Sequence, residues 1–333
     1  MHETVSMPNM NSPTNLQTKK RGILLVGMVG FLVLQAGCGP AGSTLDWTAP
    51  ENIATIASAQ AIAEDPEFDM LCLALMEGRA EAMDEYELVP IEGPFKMTAY
   101  AAPALEARRH SDDRFRHPIH TLPIHHRDGD ALPKRHELPG RRTPEQIIGW
   151  VENSLDAYLA EVNGSVRLHF ADGSASCLAW VATNEQPYTS LGRLLVDEGH
   201  VPADEIDLDA IRSIHDRQPE LVEGLMLQND RAVFFESIDC SAWPRAASGA
   251  VLEPGRSVAV DPSVIPLGSV LVIQTTLADG TPLNRIVAAV DIGGAIKGRR
   301  MDLYMGAGED ALQRAGRQVC STNVYRLVRR SNP

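Results

Sequence analysis

The chain has 333 residues, 44% of them hydrophobic, and a net charge of −14. That length supports one large domain or two modest ones, each with its own core. Such acidity excludes a nucleic-acid binder and gives no long-range steering toward an anionic polymer, so recognition of one must rest on short-range contacts in a groove.

Taken in chain order, Lys19, Lys20 and Arg21 precede an apolar run from Ile23 to Leu34. The run has the length of a signal-peptide core and is too short for a comfortable membrane span. It closes on Gln35-Ala36-Gly37-Cys38, which resembles a bacterial lipobox with its aliphatic residue one place early, at Leu34. The expectation is a signal peptide over 1–37, acylation at Cys38 and a lipid-anchored tether over 38–50. That makes a periplasm-facing lipoprotein held at a membrane; Gly39 carries no aspartate retention signal, which favours the outer membrane.

Apolar spacing predicts two helices between Glu51 and Tyr86, broken near Pro66, then a strand from Phe95 to Tyr100. Residues 108–142 hold six of the ten histidines, His110, His117, His120, His125, His126 and His136, among prolines and arginines. No metal-ligand spacing is present, so this stretch reads as loops and short strands, with neither metal nor cofactor. A helix is predicted over Glu145–Val162 and a hairpin over Arg167–Trp180 that turns at Ala171–Ser174. Short helices follow at 191–198, 202–215 and 220–229, then a buried strand at 232–235. Beyond Ser257 the pattern becomes strands at 257–260, 270–275, 286–290 and 324–328, interrupted by a helix at 309–315. Close strands with Gly and Pro turns argue for a small barrel. Of the cysteines beyond Cys38, Cys72, Cys177, Cys240 and Cys320, none form a C-x-x-C pair. The preferred disulfide is Cys240–Cys320, with four free thiols as the alternative.

The barrel-like region carries three aspartates, Asp261, Asp291 and Asp302, the last two bracketing Gly293, Gly294 and Lys297. A carboxyl among apolar neighbours is desolvated and holds its proton near neutral pH, as a general acid must. Asp302, with Met301, Leu303 and Met305 around it, is the better acid; Asp291, against the glycines, is the better organiser of backbone or ligand. The competing reading is that all three cap turns. A P-loop fails because Ile296 precedes Lys297 and Gly298 follows it. A dinucleotide fingerprint fails because Gly306-Ala307-Gly308 lacks the third glycine, and no serine stands in a G-x-S-x-G setting.

Several motifs then recur in order over about two thirds of the chain. They are Phe95-Lys-Met-Thr98-Ala-Tyr100, Pro118-Ile119, Leu132-Pro133, Tyr188-Thr-Ser190-Leu-Gly192-Arg193, Val233-Phe-Phe235, Gly255-Arg-Ser257-Val-Ala-Val-Asp261, Ile265-Pro-Leu-Gly268 and Asp291-Ile-Gly-Gly-Ala-Ile-Lys-Gly298 through Asp302. In these the chain resembles the membrane-bound lytic murein transglycosylase A family, with its C-terminal three-aspartate domain. The resemblance implies a mainly β fold with short helices, in which a double-psi β-barrel is interrupted by a second β-rich domain. The segments would be 51–104 for the N-terminal helices and first barrel part, 105–230 for the insertion and 231–333 for the rest of the barrel. It implies Asp302 as the single catalytic acid and base, supported by Asp291, Asp261, Gly293, Gly294 and Lys297, with Thr98 and Tyr100 on groove positions. The implied reaction cleaves the β-1,4 bond between N-acetylmuramic acid and N-acetylglucosamine in peptidoglycan glycan strands, leaving a 1,6-anhydro sugar. The alternatives are a hydrolase on the same barrel, or a non-catalytic wall-binding module. The chain departs from the family pattern at Ala99-Tyr100-Ala101-Ala102-Pro103 and at Asn163-Gly164-Ser165-Val166, and Asn163 and Ser165 are expected to line the groove for substrate.

Overall fold

The structure, a computed structural model, describes residues 45–122, 131–140 and 143–331. The signal segment, Cys38, His125 and His126 lie outside the described residues. The last part of the expected tether does not stand apart, because Leu45 and Trp47 pack on the core that starts the folded body.

Helices α1 (Pro50–Ala63) and α2 (Pro66–Met76) follow. Pro66 ends one and starts the other, since it cannot donate to a continuing helix, while Asp65 caps α2 by accepting from the Glu67 N–H at 3.0 Å. Strands β1 (Tyr86–Pro90) and β2 (Phe95–Ala102) come next, and the chain then leaves for a second layer. That layer contains β3 (Ala104–Ala107), β4 (His117–His120), β5 (Ile147–Val151), α3 (Ser154–Asn163), β6 (Ser165–Phe170) and β7 (Ala175–Thr183). It continues through α4 (Leu191–Asp197), α5 (Leu208–Arg217), α6 (Pro219–Leu227) and β8 (Val233–Ile238). The chain returns through β9 (Ser257–Val260), β10 (Val270–Thr276), β11 (Pro282–Asp291), β12 (Arg300–Ala307), α7 (Glu309–Gly316) and β13 (Val319–Arg329).

Strand order in the larger sheet is β1-β13-β10-β11-β9-β12-β2, and β13 also pairs with β2. Six strands therefore close on themselves. Residues 319–322 of β13 pair with β2 and residues 323–326 with β10, so one long strand seals the ring. The pairs β9–β11 and β2–β12 are parallel, the rest antiparallel. Period-2 alternation fills the interior with Met97, Val258, Val260, Leu271, Ile273, Val287, Met301 and Leu303. The opposite face of β10 and β11 carries Val270, Val272, Ile286 and Ala288 against α1 and α2. Gly268, at φ +83°, lets this layer close, because a Cβ there would lie 2.7 Å from the Ala63 nitrogen.

The second layer has its own sheet, β3-β6-β7-β8, and a β4–β5 ribbon. Strand β8 pairs with β7, so this sheet runs to Ile238, beyond the boundary at 230 drawn from the sequence. The expected helix over 145–162 is in fact strand β5 followed by α3. Asn153 divides them, its carboxamide oxygen accepting from the Leu155 and Asp156 N–H groups. The expected helix at 202–215 begins only at Leu208. The disulfide joins Cys177 to Cys240 rather than Cys240 to Cys320. Strand pairing of β7 with β8 places Cys177 opposite Ile238, two residues short of Cys240. Cys320 sits at the start of β13 beside Thr275, and it and the buried Cys72 are free thiols.

The two layers meet where α7 packs on β2 and against Leu208 of α5. Gly316 permits that approach, since a Cβ there would fall 2.7 Å from the Leu208 Cβ. Arg212 reaches across from α5 to Glu309, and Arg317 back to Asp209.

Candidate active site

One row of residues crosses four neighbouring strands of the barrel. Asp291 on β11 is in register with Ala259 on β9, Ala259 with Asp302 on β12, and Asp302 with Thr98 on β2. Neighbours of Asp302 at Met301 and Leu303 point into the barrel, so alternation turns its carboxyl to the outer face. A bulge between Ala289 and Asp291 re-aims the end of β11, and Asp291 joins the same side. Two strand spacings separate the carboxylate-bearing positions, about 10 Å between their Cα atoms. Between them stands Ala259, small and buried.

Each carboxyl has a different setting. Thr98 donates its hydroxyl to Asp302 at 2.8 Å. Asp291 accepts from the Tyr100 hydroxyl at 2.7 Å and from the Ala247 N–H at 2.8 Å. Desolvation pushes the Asp302 carboxyl up to about 7, against the opposing pull of the Thr98 hydrogen bond and the Arg300 charge. Burial also raises Asp291, but more hydrogen bonds hold its charged form. Burial and the neighbouring Asp291 charge push the Tyr100 phenol well up, so it remains a donor. The Tyr304 ring lies 5.4 Å from the Tyr100 ring, centroid to centroid, and backs it. The site thus has a carboxyl able to hold a proton near neutral pH, 204 residues along the chain from the Thr98 hydroxyl that orients it.

Asp261 is placed otherwise. Its carboxylate accepts the Gly298 N–H at 2.6 Å and both the N–H and hydroxyl of Ser263. These bonds and the nearby Lys297 charge hold it below the usual carboxylate range. It pins the loop between β11 and β12. Within that loop Gly293 makes a tight turn: a Cβ there would lie 2.7 Å from Ile296 Cγ1. A Cβ on Gly294 would lie 3.9 Å from the Cβ of Tyr188 in the second layer, and Lys297 is exposed. Loop 292–299 is therefore where the two layers face each other beside the carboxylate row.

Asn163 and Ser165 flank the start of β6, next to Pro103, whose carbonyl accepts the Arg167 N–H at 2.9 Å. The Ser165 hydroxyl is buried and donates to the Leu178 carbonyl, and the Asn163 amide donates to Leu159 on its own helix. These side chains serve the local fold, and neither joins the carboxylate row. Trp180, 43% exposed, stands beside Gly164 and offers an aromatic surface there. Sequence reasoning missed Ala247, Arg300 and Tyr304. Tyr304 could have been found from its two-residue spacing from Asp302; Ala247 acts through backbone and leaves no side-chain signal. Among the described residues there is no group of three or more His, Cys, Asp or Glu that could hold a metal ion.

Comparison with known proteins agrees with this geometry. The family profile described as the MltA specific insert domain matches residues 96–236, and the 3D domain profile matches residues 256–328. The Escherichia coli K12 protein named membrane-bound lytic murein transglycosylase A is 32% identical over 239 residues, covering 67% of this chain and 63% of the relative. The Vibrio cholerae protein of that name is 30% identical over 252 residues, covering 73% of this chain and 67% of the relative. The crystal structure of Escherichia coli MltA with bound chitohexaose superposes with a TM-score of 0.73 at 26% identity, over 84% of this chain and 90% of that one. The closed six-stranded ring corresponds to the double-psi barrel of these folds.

Proposed function

The chain belongs to the membrane-bound lytic murein transglycosylase A family, and from that premise we propose that it cleaves peptidoglycan glycan strands by a non-hydrolytic route, with Asp302 as the single acid and base. The observation that carries this reading is the placement of Asp302: its carboxyl leaves the barrel interior, accepts the Thr98 hydroxyl at 2.8 Å, and stands two strands from Asp291 where desolvation favours its protonated form. Protonated Asp302 donates to the glycosidic oxygen between N-acetylmuramic acid and N-acetylglucosamine. Positive charge develops at C1 of the muramic acid. Asp302, now ionised, removes the proton from that sugar's own 6-hydroxyl, whose oxygen bonds to C1. The proton ends on Asp302, ready for the next turnover, and no water is consumed. One carboxyl suffices because the nucleophile is intramolecular and held close. A two-carboxylate hydrolase needs its second group to activate water or attack C1.

Asp291, anchored by Tyr100 and Ala247, supplies negative charge near the developing cation and keeps Asp302 from ionising too early. Asp261 and Gly293 shape the loop opposite Tyr188, where a glycan lying between the layers would be held. A chitohexaose-bound relative supports a β-1,4-glycan as the ligand class. Anchoring through Cys38 and outer-membrane placement belong to this proposal and rest on the sequence. Among the described residues no helix is long and apolar enough to cross a membrane. Mass analysis of digested murein tests the reaction: anhydro-muropeptides are expected, and products with only reducing ends would replace this mechanism with hydrolysis.

A further inference from the structure

We propose that the outer face of α2, with the cleft between it and β1, is a docking surface for a basic amphipathic helix of a partner protein. Three observations converge there. Met70, Leu73 and Met76, spaced three apart on one side of α2, are 66%, 54% and 69% exposed, while Leu71, Ala74 and Leu75 on the other side are buried. Next to this stripe lies a cavity of about 410 Å³ walled by Met70, Leu71, Ala74 and Tyr86, with Glu67 and Arg329 at its lip. None of the carboxylate-row residues lines it.

The third observation is charge. Of residues 45–95, twelve are Asp or Glu and only Arg79 is basic. Arg79 is already bound by Glu77, and Arg329 from β13 by Glu67 and Glu85. Asp69, Glu81, Asp84 and Glu87 remain exposed around the stripe. Flexible methionines adapt to varied apolar partners, and an acidic rim selects lysine- and arginine-bearing helices that lay an apolar face into the cleft. The same rim repels anionic lipid headgroups, which disfavours a membrane as the occupant.

The test is peroxide footprinting of Met70 and Met76 on the full chain, read by mass spectrometry, with a leucine–lysine amphipathic helical peptide as the probe. In the free chain both methionines should oxidise fast. The peptide should slow both several-fold, a leucine–glutamate peptide of the same pattern should not, and high salt or Leu73→Gln should weaken the protection. Absence of protection, or equal protection by the acidic peptide, would overturn the proposal. Slow oxidation in the free chain would assign the face to the chain's own residues 1–44, and protection by phosphatidylglycerol vesicles would assign it to a membrane; both contradict it. The readout does not involve murein cleavage, so this proposal and the transglycosylase reading fail separately.

Discussion

The barrel and the inserted layer use buried polar groups in opposite ways. In the barrel, Asp302 is desolvated with no cationic hydrogen-bond partner, and the result is a carboxyl that keeps its proton. In the insertion, Glu161 is as deeply placed but meets Arg135 at 2.6 Å, and Arg135 also donates to the Asn229 and Arg231 carbonyls and lies over the Tyr158 ring. One arrangement sacrifices stability for reactivity; the other ties the α3 helix to the segment entering β8. The difference teaches that burial alone does not identify a reactive group. The partner, or the lack of one, decides.

The sharpest break in this comparison is Asp302→Asn, for which murein cleavage should fall by about 10³-fold or more, since the only proton donor is gone. The same variant should be more stable than wild type at high pH. The native Asp302 pKa is raised, so wild type loses stability as pH rises from 3.8 through about 7, and the amide does not. Melting temperatures at pH 5 and pH 8 check the sign. Arg135→Ala, by contrast, should cost about 3–5 kcal/mol because it strands Glu161, measured by denaturant unfolding. Reduction of Cys177–Cys240, which fixes β7 to the end of β8, should cost about 2–4 kcal/mol and leave Asp302 chemistry intact once the chain is folded. Gly268→Ala should destabilise the barrel by about 1–3 kcal/mol, because the methyl collides with the Ala63 backbone and φ is positive. The smallest effect expected is from Asp291→Asn: removing its charge lets Asp302 ionise earlier, so the alkaline limb of the pH–rate profile should move to lower pH. An upward shift would mean that Asp291 acts on Asp302 through something other than its charge.

Much of the barrel was legible because its strands are continuous apolar runs. Strands β9, β10 and β11 fall where Ser257–Val260, Val270–Thr275 and Ile286–Val290 were expected, with β11 longer at its start. Strand β12 was missed although it holds Asp302, because glycines and arginines obscure its alternation of Met301, Leu303 and buried Tyr304 with polar residues. In the insertion, Ile147, Ile148, Trp150 and Val151 merge with the apolar residues of α3 into one seemingly helical pattern. Only the Asn153 cap and the pairing of β5 with β4 separate them, and pairing is a tertiary fact. The disulfide was misassigned for the same reason: the nearness of Cys177 to Cys240 follows from the β7–β8 register, not from position in the chain. Asp291 and Asp302 were visible as candidates, but their inequality was set by Thr98, Tyr100 and Ala247, residues brought in from distant segments.

The central claim is that the Asp302 carboxyl holds its proton near neutral pH. Carboxyl carbon NMR of the aspartate-labelled chain, titrated beside Asp302→Asn, tests it directly. One aspartate resonance should titrate near pH 7 and vanish in the variant. A resonance near 7 that survives Asp302→Asn, or the absence of any aspartate titrating above about pH 5, would contradict the account.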